Sequence, residues 1–201
     1  SNYDDYYKDM MVEGFDKQLN DIRNGLRRLT PDADKYLKEY GKAAKTVSIS
    51  NDISEIAERA YWDKIKDDIK KEDFKTVVLL FDELGKMLQE ITPNRKDLKK
   101  QIALVLDKTY IQGLVDHNTF NKEEMFRLFN FMFGRIQSYE SPIRNVETKF
   151  MIKEIKQKFE DKNTKLEEIV VETFKNAYDK MNMIYEDMVN TVNMYNNNNN
   201  N

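Results

Sequence analysis

The chain has 201 residues, 40% apolar and 34% charged, with 33 Lys plus Arg against 36 Asp plus Glu and a net charge of -3. Both signs are interspersed, so no basic footprint for nucleic acid stands out, and no apolar run approaches the ~18 residues of a membrane span. The absence of cysteine and the single histidine exclude disulfides, thiolate metal sites, cysteine nucleophiles and histidine-rich metal centres, leaving a reducing, cytoplasmic compartment as the default expectation.

Apolar spacing follows the helical period along most of the chain. Tyr7, Met11, Phe15, Leu19, Ile22, Leu26 and Leu29 form a first stripe. The opening SNYDDYYKDM is acidic and aromatic, unlike a secretory signal. Thr30-Pro31 starts a short second helix that Gly41 closes. TVSIS (46–50) reads as a brief extended piece or as the loop before Asn51-Asp52, which would cap a third helix through Ile53, Ile56, Ala57, Ala60, Tyr61 and Ile65.

Phe74, Val77, Val78, Phe81, Leu84, Leu88 and Ile91 predict a fourth helix, stopped at Thr92-Pro93 because the residue before proline is driven out of the α region. Leu98, Ile102, Val105 and Leu106 carry a fifth toward Ile111, before a turn formed by Gly113 and VDHNTFN. Met125, Leu128, Phe129, Met132, Phe133 and Ile136 mark a sixth; Ile143, Val146, Phe150, Ile155 and Phe159 a seventh, after Ser141-Pro142. Leu166 to Val192 trace a long eighth. No stretch alternates at period two, so the expected class is all-α: one bundle-like domain of about eight helices over 3–195, with no sheet. The asparagine run 196–201 has nothing to bury and is expected to be a disordered tail. Together with abundant Lys, Ile and Tyr it is what AT-rich coding produces, which fits a protist or large DNA virus source.

Signals for chemistry are weak. His117 could serve as a general base near Asp116 or Asp107, but with no nucleophile motif nearby it reads more plainly as a polar turn residue at a helix C-terminus. The pairs Asp67-Asp68, Glu123-Glu124 and Glu167-Glu168 fall on polar helix faces or first turns. No Glu-x-x-His, calcium-loop or phosphate-loop pattern occurs, so neither metal nor cofactor is expected. NRKDLKK (94–100) is the densest basic cluster. Its Arg95, Lys96, Lys99 and Lys100 could meet anionic lipid or an acidic partner, or simply begin a polar helix with Asn94 as cap and Asp97 at the third position. Trp62 in YWDKIKDDI is expected to anchor a helix junction.

Several of these pieces, in order, resemble the T-complex protein 11 family: RAYWDKI, LLFDELGKMLQEITPNRKDLKKQIALVLDKTYIQ, the VDH turn and RLFNFMFGRIQSYESPIRN. The likeness covers about 59–150 and extends more faintly toward 195. Asn145 stands where that family usually has Asp, and Tyr139-Glu140-Ser141 where it tends to have Leu-Cys-Ala. The resemblance implies a helical, non-catalytic protein that binds a protein partner, linked to cAMP and protein kinase A signalling. The matched residues Trp62, Asp63, Asp82, Glu83, Pro93, Arg95, Asp107, His117, Pro142 and Arg144 are then framework. The basic cluster 94–100, by its charge, is the candidate interaction surface, with peripheral binding to anionic membrane as the alternative role. Ser141 as cap and Pro142 at the first helical position would fix Arg144, whose guanidinium is expected to bridge inward to Asp107 or Glu83.

Overall fold

The computed structural model describes residues 47–92 and 94–198, with side chains from Glu55 to Thr191. All regular structure among the described residues is helical: α1 (Val47–Lys70), α2 (Lys75–Ile91), α3 (Lys96–Val105), α4 (Lys108–Asp116), α5 (Lys122–Gln137), α6 (Pro142–Glu160) and α7 (Leu166–Asn198). The first two expected helices, over 7–29 and 30–41, lie outside the described residues, as do Pro93 and 199–201. The chain divides into two compact units, Ile65–Glu186 and one to which the described parts of Ser1–Lys64 and Asp187–Asn201 belong.

The core of the larger unit follows from helical periodicity. α2 buries Val77, Val78, Leu80, Phe81, Leu84, Leu88 and Ile91 along one stripe. α5 buries Met125, Leu128, Phe129, Met132, Phe133 and Ile136, the residues its spacing marked. α7 adds Ile169, Val170, Phe174, Ala177, Met181 and Ile184. The three helices meet at Phe81, Phe129 and Phe174, whose ring centroids lie 4.7 to 4.8 Å apart. Burying each such ring contributes about 1.5–3 kcal/mol, and the tilted and edge-on geometry adds to it. α2 also packs on α3 and α4, and α5 on α6.

Helix ends depart from the sequence reading in several places. α1 begins at Val47, so 47–50 is neither loop nor extended, and Asn51-Asp52 lie inside the helix rather than capping it. Ile56 and Ala60, assigned to the apolar stripe of that helix, are exposed, while Trp62 is buried edge-on to Tyr61. The expected fifth helix is two. Asp107 takes extended angles and accepts the Tyr110 N–H at 2.8 Å, capping α4 and breaking the chain after α3. α4 then runs through Gly113 to Asp116, so the turn begins at His117.

α1 and α4 close with the same device. Glu72 N–H donates to Ile69 O and Asp73 N–H to Asp68 O; Asn118 N–H donates to Val115 O and Thr119 N–H to Leu114 O. Glu72 (φ 59) and Asn118 (φ 55) supply the left-handed residue that this motif requires. α3 is entered by Arg95 without a side-chain cap, so Asn94 does not cap it. At the far end α7 continues to Asn198, so the first asparagines of the expected tail are helical.

α6 is the largest correction. Its five expected stripe residues do not share a face: Ile155 and Phe159 are buried with Thr148, whereas Ile143, Val146 and Phe150 face solvent. The five-residue step from Phe150 to Ile155 carries the stripe roughly 140° around the helix at 3.6 residues per turn.

Candidate functional site

The segment SYESPIRN (138–145), joining α5 to α6, concentrates the polar ties of the larger unit. α2 stops where Thr92, the residue before Pro93, turns extended (φ -70, ψ 124). Thr92 Oγ1 donates to Leu88 O at 2.6 Å and lies 2.6 Å from the Tyr139 hydroxyl, so the junction is fastened to the end of α2.

Glu140 turns inward, its side chain only 1% exposed. Thr148 Oγ1 donates to Glu140 Oε1 at 2.7 Å. Lys180 Nζ, from α7, stands 3.5 Å from the same oxygen and 3.9 Å from Glu147 Oε2. Glu140 Oε2 is buried with no hydrogen-bond partner. Burying a carboxylate and an ammonium costs several kcal/mol of hydration each, which their attraction offsets only while both remain.

Arg144 is half-buried and donates from Nη1 to Met183 O at 3.0 Å, a tie from the start of α6 to α7. Asn145 Nδ2 donates to Gln137 O at 2.9 Å, bracing the turn from within. Ser141 occupies the cap position and Pro142 the first turn of α6, but the serine side chain makes no capping hydrogen bond.

Asp107 is engaged at the start of α4, joined there by Asp82, whose Oδ1 accepts the Lys108 N–H at 3.3 Å. Two carboxylates at a helix N-terminus complement its positive end. Close to Arg144 in the chain, Glu140 forms a buried ion pair with Lys180. Glu83 is half-buried on α2, and Asp63 is exposed on α1.

Glu140, Thr148 and Lys180 escaped the sequence reading because the lysine is far from the other two in sequence and no local spacing links them. One signal was present. Of the four positions where the chain departs from the pattern it resembles, Tyr139, Glu140 and Asn145 make side-chain contacts here, while Ser141 makes no capping hydrogen bond. An Asp at 145 could not supply the donor.

The remaining candidates are peripheral. His117 is the exposed C-cap of α4, with Nδ1 2.7 Å from Gly113 O. In the basic cluster Arg95 grips Asp97 with two hydrogen bonds, 3.0 Å from Nε and 2.8 Å from Nη2. That grip holds the Asp97 carboxyl down at about 2. Lys96 and Lys100 are exposed and Lys99 half-buried. Among the described residues no group of three or more His, Cys, Asp or Glu could hold a metal, and no helix is long and apolar enough to cross a membrane. The family model described as T-complex protein 11 matches residues 29–192. No curated protein matches the chain, and no solved structure does.

Proposed function

From the premise that this chain belongs to the T-complex protein 11 family, we propose that it is a non-catalytic helical module that holds a protein partner. The observation that carries the reading is the solvent-facing row Ile143, Val146 and Phe150 on α6, large apolar side chains that the core does not use. The Tyr139–Thr92, Glu140–Lys180 and Arg144–Met183 ties hold the start of that helix in place, so the row is presented on a fixed rod. The family resemblance supports a cytoplasmic role in cAMP and protein kinase A signalling.

Affinity capture from source-cell lysate tests this. Proteins retained by the native chain and lost from Phe150→Glu support the reading; a native chain that retains nothing above background overturns it. Retained kinase subunits would support the signalling role in particular.

Peripheral binding to anionic lipid through Lys96, Lys99 and Lys100 is the alternative. The Arg95–Asp97 pairing works against it, because it neutralises the strongest cation of the cluster at short range. Sedimentation with anionic vesicles at low and high salt separates the two, since exposed charges more than a Debye length apart are screened.

A further inference from the structure

We propose that α6 is the seam of a homodimer in which two copies lie parallel, and this rests on the interaction reading above. Ile143, Val146 and Phe150 are 79%, 54% and 67% exposed and fall at i, i+3 and i+7, the spacing of alternating a and d positions in a two-stranded coil. Their flanks are sorted by charge. In the same register Lys149 and Lys156 occupy g positions, Glu147 and Glu154 occupy e positions, and all four are exposed.

The arrangement of those flanks selects the partner and its direction. In a parallel pair with a two-fold axis along the helices, each g residue meets the e residue five positions on in the other copy, so Lys149 faces Glu154 of the second copy, twice by symmetry. In an antiparallel pair g meets g and e meets e, which sets lysine against lysine and glutamate against glutamate. Lys153 follows at the next d position and is also exposed. A lysine there reaches out to solvent from a two-stranded seam, and it limits the register and the number of strands at some cost in affinity. The opposite face of α6, through Thr148, Ile155 and Phe159, is already buried, so the helix can serve both contacts.

Sedimentation velocity of the full chain over a range of concentrations tests the seam. The native chain is expected to move from monomer to dimer as concentration rises. Phe150→Glu should remain monomeric, and at concentrations where the native chain is also monomeric it should melt with it, because that ring is exposed. Lys149→Glu should weaken association roughly tenfold by placing two like-charge pairs in the seam, and adding Glu154→Lys should restore it. A chain monomeric at every concentration, or a dimer unmoved by Phe150→Glu, overturns the proposal. So does failure of Glu154→Lys to restore the association lost in Lys149→Glu, because only the parallel arrangement sets residue 149 against residue 154 of the other copy. A monomeric chain that still captures partners through Phe150 overturns the dimer and leaves the interaction reading standing; a dimer that captures nothing does the reverse.

Discussion

Gly85 on α2 lies against Leu106 at the α3–α4 break so closely that a Cβ placed on the glycine would stand 2.7 Å from Leu106 Cβ and 3.1 Å from Leu106 O. Glycine in a helix interior ordinarily costs about 0.5–1 kcal/mol relative to alanine. Here the smallest residue lets two backbones approach, and the chain uses that approach to seat the break that creates α4.

Substitution should therefore have opposite signs at two helical glycines. Gly85→Ala is expected to lose about 1–3 kcal/mol, because a side-chain carbon and a backbone oxygen must both give way. Gly113→Ala, with nothing within 4 Å of its added carbon, is expected to gain about 0.5–1 kcal/mol from helix propensity. Thermal melts of the two variants beside the native chain check this, and equal shifts would contradict it.

The buried pair Glu140 and Lys180 should be costly to break and cheap to replace. Glu140→Leu or Lys180→Met alone is expected to lose about 3–5 kcal/mol by stranding the other charge. The two together should recover most of that loss. A urea-unfolding double-mutant cycle measures the coupling, and additive losses would mean that the pair does not interact.

Asn145→Asp removes the donor to Gln137 O and leaves that carbonyl facing a carboxylate. A loss of at least ~1 kcal/mol is expected, and Arg144→Ala should lose a similar amount with the Met183 tie. If Asn145→Asp melts with the native chain, the turn is not held by this contact.

Glu72 ends α1 in the left-handed region at φ 59, which costs an L-residue roughly 1–2 kcal/mol. Glu72→Gly is expected to raise stability by about 1 kcal/mol, a rise of ~2–4 °C in Tm for a chain of this size. A fall would show that the Glu72 side chain contributes more than its backbone costs.

The Asp97 carboxyl, held at about 2 chiefly by the hydrogen bond from Arg95, should stay ionised well below the usual carboxylate range. Its pKa is lower folded than unfolded, so its contribution is present above the unfolded value and disappears as pH falls through about 2. Carbonyl-carbon NMR of Asp97 against pH should show that midpoint, and in Arg95→Ala it should move up toward an ordinary aspartate. An unmoved midpoint would remove Arg95 as the cause.

Periodicity alone determined the class, the stripes of α2, α5 and α7 and the cores they bury, because a helical face is written in spacings of three and four residues. Proline and its neighbours likewise marked the end of α2 and the start of α6. The α3–α4 break was half legible: Asp107 is a good cap, but the close approach of Gly85 to Leu106 at the break belongs to the tertiary structure. On α6 the apolar residues were visible while their two faces were not distinguished, since which face is covered depends on what packs against it. The Glu140–Lys180 pair was decided wholly by the tertiary structure. It joins residues remote in the chain, and a charge reveals itself as buried only when the helices around it have been assembled.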